Sequence, residues 1–330
     1  MPVTIADVVH AKRRIHPYLR TTPLVASSLL NDWLGHEVLF KAECLQRAGA
    51  FKARGACNFV RCLLEQGHRP KRIVATSSGN HAQAIAWASR LFGISATVYM
   101  ARNVSSLKAR ATASYGAEVV LCDTRAEAEA GAREASQQYQ TWWAPPFDHD
   151  WIIAGQGTAV LESLLETGEV DAVFAPCGGG GLLAGSLVAT RALSPSALVL
   201  GVEPANANDA TESVRTGAIQ TLGTTPDTLA DGVMTPRVGD ITFEYLKQLD
   251  GFLTVDEESI RYWTQWLNHL LKMRVEPSSA LAMGAVTQWL RRQGGRKRVL
   301  VILSGGNIDQ EKMLKIWQID CLTQVPSLDK

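Results

Sequence analysis

The feature that most constrains the fold is an alternation of short apolar strands and longer helical segments between residues 72 and 148. Such an alternation is typical of a parallel sheet with helices on its faces. The segment also has about the size of a small domain. It therefore predicts an α/β fold. The predicted strands are Arg72–Ala75, Ala96–Tyr99 and Glu118–Leu121, and the predicted helices are His81–Leu91, Ser105–Tyr115 and Ala126–Tyr139.

The rest of the chain provides material for a second lobe. With 330 residues, 46% of them hydrophobic, the protein can bury a large core. We predict a small mobile domain over residues 72–149, and a large domain made of residues 1–71 and 150–330. Further predicted strands are Val38–Glu43, Ala172–Ala175, Leu198–Val202 and Arg298–Leu303, and further predicted helices are Ile5–Tyr18, Phe51–Glu65, Glu257–Leu271 and Ser278–Arg292, with a last helix and a polar tail in Ile308–Lys330.

Charge and composition narrow the class of partner. The net charge is +1, which gives no electrostatic reason to bind nucleic acid or membranes. No signal-peptide pattern opens the chain, and no apolar run reaches the roughly 20 residues that span a bilayer. The six cysteines lack ligand spacing and are typical of free thiols. These features favour a cytoplasmic protein that binds a small molecule. Separately, we expect a homodimer.

Three predicted strands end in loops suited to ligands. Ser77–His81 joins a strand to a helix N-terminus and suits a carboxylate or phosphate, although a capping turn looks similar. Gly178, Gly179, Gly180 and Gly181 let the backbone approach a phosphate closely. Ser304 brings a hydroxyl to a strand's carboxyl end, where open α/β sheets bind ligands.

Lys52 lies between Phe51 and Ala53 at the start of a predicted helix. A lysine among apolar neighbours loses its charge easily and becomes a nucleophile towards carbonyl groups. This stretch alone fits an ordinary lysine at a helix start equally well, and the three loops shift the balance towards a catalytic role.

Together these stretches resemble the pyridoxal-phosphate enzymes of fold type II, in particular the branch of serine/threonine dehydratases and serine racemase. The resemblance runs from Arg20-Thr21-Thr22-Pro23-Leu24 to Ser304-Gly305-Gly306-Asn307 and includes Ala230-Asp231-Gly232-Val233. It implies two α/β lobes, each with a mainly parallel sheet flanked by helices. Larger threonine dehydratases carry a regulatory domain, and we expect none here.

The resemblance also implies roles for single residues. Lys52 would bind the cofactor aldehyde covalently, beside Phe51. Three further contacts to the cofactor are implied: Asn80 to the phenolic oxygen, Gly178 to Gly181 around the phosphate, and Ser304 at the pyridine nitrogen. The substrate carboxylate would be bound by Ser77, Ser78, Gly79, Asn80 and His81. Ser78 would also act as an acid or base on the side opposite Lys52.

The implied reaction is β-elimination from a β-hydroxy-α-amino acid to a 2-oxo acid and ammonia. A neutral hydroxyl at residue 304 does not demand a protonated pyridine nitrogen, which favours elimination over transamination. L-Threonine and L-serine are the default substrates, with threo-3-hydroxyaspartate, phenylserine, a hydroxyectoine-derived amino acid and serine racemisation as alternatives. Pro145 stands where the family commonly has a histidine, so the substrate preference of its best-known members does not carry over directly. Ala50 stands where the family usually has a serine and removes that hydroxyl.

A divalent-cation site is predicted after the strand Leu198–Val202. Glu203 and Asp209 are two carboxylates in a tight turn, with oxygen atoms suited to Mg²⁺ or Ca²⁺. The spacing alone is a weak signal, and the resemblance implies Glu203, the Ala207 carbonyl and Asp209 as ligands.

Two other classes of protein are possible on the same residues. Gly179-x-Gly181-x-x-Ala184, followed by Glu203, matches the dinucleotide fingerprint of a nicotinamide dehydrogenase. That class leaves Lys52, the Ser77–Asn80 turn and Ser304 unexplained. A non-catalytic amino-acid sensor would not need Lys52.

Overall fold

The computed structural model describes residues 2–77, 79–102 and 106–329. Its strands are β1 (Leu24–Val25), β2 (Glu37–Ala42), β3 (Arg72–Thr76), β4 (Ser95–Ala101), β5 (Glu118–Cys122), β6 (Thr141–Trp143), β7 (Ala172–Pro176), β8 (Leu198–Pro204), β9 (Gly251–Val255) and β10 (Arg298–Leu303). Its helices are α1 (Ile5–Ile15), α2 (Ser28–Leu34), α3 (Lys52–Glu65), α4 (Asn80–Leu91), α5 (Ser106–Ser114), α6 (Arg125–Ser136), α7 (Asp150–Thr167), α8 (Gly181–Leu193), α9 (Asp209–Thr216), α10 (Asp240–Leu246), α11 (Glu257–Leu271), α12 (Pro277–Leu290) and α13 (Gln310–Ile316). Short 3₁₀ helices lie at Glu43–Leu45, Arg47–Gly49 and Asp231–Val233.

The strands form two sheets. The larger sheet has the order β1-β2-β10-β7-β8-β9, and only β1 runs antiparallel to its neighbour. The smaller sheet has the order β5-β4-β3-β6 and is entirely parallel. The predicted α/β fold with mainly parallel sheets is confirmed. The smaller sheet lies within the range predicted as the small domain, whose bounds and mobility stay predictions.

The core lies on both faces of the larger sheet. One cluster joins α1, α7, α8 and α10 to the sheet, and a second packs α11 and α12 on the opposite face. Helices α7 and α8 approach closely because their contact is made by glycines. A Cβ built on Gly185 would lie 2.5 Å from the Ile153 carbonyl oxygen, and one built on Gly157 would lie 2.7 Å from the Gly185 carbonyl oxygen. This contact fixes α8, and with it the loop before α8, at the end of β7.

Sequence reasoning missed the shorter elements. Strands β1, β6 and β9 and helices α2, α9 and α10 are at most eight residues long. The helix predicted after Ile308 is only α13, and the helix predicted from Ile5 to Tyr18 ends at Ile15. Of the residues that the structure describes, no helix combines the length and the apolar character needed to cross a bilayer.

Candidate active site

Lys52 is the first residue of α3, and its position is fixed by the end of β10. Ala50 forms an antiparallel bridge with Gly305, and the Phe51 amide donates to the Ser304 carbonyl oxygen at 2.9 Å. These contacts join the segment before α3 to the loop after β10. They bring Lys52 and Ser304, 252 positions apart in the chain, to one site.

The Lys52 ammonium lies in a largely apolar environment. Its Nζ donates to the Pro146 carbonyl oxygen at 2.6 Å and lies 5.2 Å and 5.9 Å from the ring centroids of Phe51 and Phe147. Burial away from water lowers the pKa of Lys52 to about 8. The amine therefore loses its proton far more easily than an exposed lysine, which suits it to nucleophilic attack and to proton transfer.

The Ser77–His81 turn joins β3 to α4, and its last two residues, Asn80 and His81, begin the helix. The Ser77 hydroxyl accepts from the Gly79 amide at 3.1 Å. A Cβ built on Gly79 meets nothing within 4 Å, so space for a ligand is open beside the turn. Ser78, the predicted acid or base, lies outside the described residues.

His81 is held away from solvent in its neutral form. It is 3% exposed, and burial, aided by the charge of Lys52, lowers its pKa to about 3. Its Nε2 lies 3.0 Å from the Ala144 carbonyl oxygen, so Nε2 carries the proton and donates. The ring thus ties α4 to the segment after β6, and contact of His81 with a substrate stays a prediction.

Asn80 belongs to a polar group whose members lie far apart in the sequence. Its Nδ2 donates to Glu276 Oε1 at 2.8 Å, while its Oδ1 accepts from Asn307 Nδ2 at 2.8 Å. The backbone amide of Asn307 donates to Glu276 Oε2 at 2.9 Å. Burial raises the pKa of Glu276 to about 7, with a further contribution from the negative charge of Asp231. The strand-end motif pointed to Asn307, but no local signal pairs these three residues.

Ser304 lies 2.9 Å, oxygen to oxygen, from the hydroxyl of Ser279 in the first turn of α12. Ser279 also accepts from the Gly305 amide at 2.7 Å and can donate to the Gly305 carbonyl at 2.8 Å. Both serines are buried. The Ser304 hydroxyl, which is predicted to lie at the cofactor nitrogen, is thus held by the Ser279 hydroxyl. Both groups in this hydrogen bond are neutral.

The glycine loop joins β7 to the N-terminus of α8. Gly180 has φ of +91°, a left-handed conformation that favours glycine. The Gly179 carbonyl accepts from the Thr242 hydroxyl at 2.6 Å, which fixes the loop against α10. A Cβ on Gly179 would collide with the Phe147 ring, and a Cβ on Gly178 would lie 3.1 Å from Thr235 Oγ1.

The donors around this loop fit a phosphate-bearing cofactor. Thr235 Oγ1 is buried, and none of the described residues bonds to it. An unbonded buried hydroxyl, a glycine backbone and a helix N-terminus form a suitable site for an anion. The lysine with lowered pKa supplies the amine that an aldehyde cofactor needs.

The predicted metal ligands lie at the end of β8 and the start of α9. Glu203 accepts from the amides of Ala210 and Thr211 at 3.0 Å and 2.8 Å, and from the Thr211 hydroxyl at 2.7 Å. Asp209 Oδ2 is buried and has no bonding partner in the described part of the chain. That part of the chain contains no group of three His, Cys, Asp or Glu side chains arranged for a metal.

Comparison with known proteins agrees with this geometry. The family of pyridoxal-phosphate dependent enzymes matches residues 15–305. An L-threo-3-hydroxyaspartate ammonia-lyase of Saccharomyces cerevisiae is 42% identical over 312 residues, with 94% of each chain covered. A serine racemase of Dictyostelium discoideum is 38% identical, with 95% of this chain and 98% of the racemase covered.

Solved structures show the same fold. A threonine deaminase of T.th. has a TM-score of 0.87 and 43% identity over 93% of this chain and 99% of its own. Maize serine racemase has a TM-score of 0.89 and 33% identity over 96% and 97% of the two chains. The match over residues 15–305 favours this family over a nicotinamide dehydrogenase. The chain therefore belongs to the pyridoxal-phosphate dependent enzymes of fold type II.

Proposed function

We propose that this protein is an ammonia-lyase that eliminates the β-hydroxyl of a β-hydroxy-α-amino acid and yields a 2-oxo acid and ammonia. The observation that carries the proposal is the placement of a desolvated lysine, Lys52, at one site with the neutral Ser304–Ser279 hydroxyl pair. The relatives named as ammonia-lyases support it.

Several residues are suited to hold the cofactor. We assign the aldehyde to Lys52, the phosphate to Gly178–Gly181 with Thr235, the ring face to Phe51, and the ring edges to Asn80 and Ser304. When bound, pyridoxal phosphate supplies an electron sink for the negative charge that develops at the substrate Cα.

Lys52 is the residue that we assign to proton transfer. Lys52 Nζ would take the Cα proton of the substrate. Its pKa of about 8 leaves about a tenth of the amine neutral at pH 7, far more than in an exposed lysine. The Pro146 carbonyl, 2.6 Å away, orients the amine. Lys52 would return the Cα proton to the β-hydroxyl, which leaves as water, and the enamine product hydrolyses to the 2-oxo acid and ammonia.

The substrate carboxylate is assigned to the Ser77–His81 turn. The amides of Gly79, Asn80 and His81 lie at the N-terminus of α4, where the helix dipole favours an anion. Racemisation needs an acid on the face opposite Lys52, and we keep Ser78 as the candidate. Ser78→Ala would then reduce racemisation far more than elimination of the L-isomer, whereas equal losses would count against that role.

We also propose a divalent cation at Glu203, the Ala207 carbonyl and Asp209. The buried Asp209 Oδ2 has no hydrogen-bond partner among the described residues, which supports a cation because buried carboxylate oxygens are normally paired or bound to metal. The cation would be structural or activating. Dialysis against EDTA would lower activity and thermal stability, and Mg²⁺ would restore both. Full activity after complete metal removal would refute this site.

Homodimer formation and a cytoplasmic location complete the proposal. The six cysteines are free, which suits a reducing compartment. Leu165 on α7 is 61% exposed beside a surface cavity lined by α1 and α7, which offers an apolar contact for a second copy. Light scattering on the purified protein measures the mass directly.

A panel assay tests the reaction. The substrates are L- and D-serine, L-threonine, both diastereomers of 3-hydroxyaspartate, and phenylserine, with 2-oxo acid release as the readout. We expect release from at least one L-amino acid and none from the Lys52→Ala protein. Absence of release from every substrate would overturn the proposal in favour of racemisation or β-replacement.

A further inference from the structure

An ion cluster outside the described active site joins the lobes of the two sheets. Asp231 begins the 3₁₀ helix Asp231–Val233, and two lysines converge on its Oδ2 atom. Lys108 on α5 donates to this oxygen, and Lys312 Nζ on α13 lies 3.1 Å from it. The side chains of Lys108, Lys312 and Asp231 are 16%, 19% and 22% exposed. All three are thus largely withdrawn from solvent.

The charges of this cluster do not cancel. Two ammonium groups face the one carboxylate of Asp231. The neighbouring Glu276, whose pKa burial raises to about 7, supplies less than a full negative charge, so a net positive charge remains. Each ammonium has three N–H donors. Within residues 2–77, 79–102 and 106–329, Asp231 is the one hydrogen-bond or ion-pair partner of both Nζ atoms. A largely buried excess charge with free donors is costly unless an anion completes it.

The cluster lies beside the proposed substrate site. Gly232 follows Asp231, and a Cβ built on Gly232 would lie 3.6 Å from Glu276 Oε1, the atom that accepts from Asn80. The pKa of Glu276 responds to both charges, since Asp231 raises it and Lys108 lowers it. Asn80 belongs to the turn assigned to the substrate α-carboxylate. The excess positive charge therefore lies within electrostatic reach of a bound amino acid.

We propose that Lys108 and Lys312 hold the second carboxylate of a dicarboxylic β-hydroxy-α-amino acid and so make the enzyme prefer it to L-serine or L-threonine. This inference rests on the proposed function and names its substrate class. Lys108 comes from the lobe of the smaller sheet and Lys312 from the lobe of the larger one. A second carboxylate held between them would therefore also hold the two lobes together over the substrate.

The test compares the binding of L-aspartate and L-alanine to the holoenzyme. These amino acids differ by one carboxylate, and neither has a β-hydroxyl to eliminate. Binding is followed by the change in cofactor absorbance. Loss of one charged hydrogen bond weakens binding by roughly tenfold or more. We therefore expect Lys312→Met to raise the Kd of L-aspartate about tenfold and to leave that of L-alanine within about twofold. Lys312→Arg, which keeps the charge, restores most of the selectivity.

Lys315→Met is the matched control, because Lys315 is an exposed residue of the same helix. It leaves both affinities unchanged. Lys108→Met gives a second, independent variant from the other lobe. A wild-type protein that binds L-aspartate no better than L-alanine would overturn the inference. An aspartate-to-alanine ratio that stays constant in both lysine variants would do the same.

This experiment separates the inference from the proposed function. If aspartate selectivity depends on the two lysines but no hydroxy amino acid releases a 2-oxo acid, the elimination proposal fails and the recognition of a second carboxylate stands. If threonine or serine is eliminated efficiently while aspartate selectivity is absent, elimination stands and the role of the lysines falls.

Discussion

At the scale of single residues, the chemistry depends on a half-buried lysine whose ammonium lies among apolar groups. Lys52 Nζ has two aromatic rings nearby and one carbonyl partner, Pro146, and it has no carboxylate within ion-pair distance among the residues described. Because desolvation is the cause of its lowered pKa, the neutral amine is available at physiological pH. The sequence placed Lys52 at a helix start, but its partner Pro146, 94 positions away, could only come from the fold.

Uptake of the cofactor by the apoprotein tests this lysine. Only the neutral amine attacks an aldehyde, so a lower pKa moves the rise of the rate to lower pH. We expect the rate of covalent uptake to increase with pH around a midpoint of about 8, set by Lys52. A lysine with an unperturbed pKa would give a midpoint of about 10.4. Stopped-flow absorbance measures the rate, and Lys52→Ala provides the protein without covalent uptake. A midpoint near that of an ordinary lysine would contradict the desolvated site.

Gly179 is the residue of the glycine loop with the least space. Gly179→Ala would push a methyl group into the Phe147 ring, and overpacking of this kind typically costs about 1–3 kcal/mol. We expect a lower melting temperature and weaker cofactor binding, measured by absorbance titration. Gly223→Ala is the control, because a Cβ at Gly223 meets nothing within 4 Å. Equal behaviour of the two variants would show that the loop does not need glycine at residue 179.

At the scale of elements, helix α3 is anchored by a buried ion network two residues after Lys52. Arg54 donates to Glu43 through Nε and Nη2, both at 2.7 Å, and to Glu162 at 3.0 Å and 2.8 Å. Lys41 also donates to Glu162, at 2.9 Å. The side chains of Arg54 and Glu43 are fully buried. The network joins α3 to β2 and α7 and thereby fixes where Lys52 begins the helix.

Replacement of Arg54, the central cation of this network, removes one partner from the buried carboxylates of Glu43 and Glu162. Breaking a buried pair in this way typically costs about 3–5 kcal/mol, so we expect Arg54→Met to lower the free energy of unfolding by that amount. Urea denaturation of the holoenzyme measures it. Arg61→Met, which breaks an exposed pair with Glu65 on the same helix, should cost no more than about 1 kcal/mol. Similar losses in the two variants would contradict an anchoring role for Arg54.

Prediction of elements from the sequence succeeded where the apolar pattern was long. Strands β3, β4 and β5 and helices α4 and α6 were predicted with shifted ends. Strand β6 was missed because Thr141–Trp143 is only three residues long. Its partner, β3, lies about 70 residues earlier in the sequence, so no local pattern indicates the pairing. Short segments carry too few residues to show a period, so tertiary pairing decides their structure.

The site was predictable to the extent that its residues are local motifs. The loops after β3, β7 and β10 were expected at strand ends, because parallel strands present their carboxyl ends together. The contacts between loops were not predictable. Asn80 and Glu276 are 196 positions apart, and Ser279 and Ser304 are 25 apart, and neither pair has a sequence pattern that indicates it.

At the scale of the whole molecule, the two sheets contribute different parts of the site. The smaller sheet carries the Ser77–His81 turn and Lys108, whereas the larger sheet carries the glycine loop and Ser304. We predict that the small domain over residues 72–149 closes when the substrate carboxylate binds. Small-angle scattering of the holoenzyme should show a smaller radius of gyration with a bound inhibitor. Identical scattering curves with and without the inhibitor would count against closure.

The central claim is that the enzyme breaks both the Cα–H bond and the Cβ–O bond of a hydroxy amino acid. The most direct measurement is the stoichiometry of ammonia and 2-oxo acid formed from the preferred substrate of the panel, with the Cα hydrogen replaced by deuterium in a parallel run. We predict equimolar ammonia and 2-oxo acid, slower turnover of the deuterated substrate, and neither product from Lys52→Ala. Loss of the Cα deuterium to solvent without ammonia or 2-oxo acid would contradict the account, because it would show that the proton is exchanged but the β-hydroxyl stays.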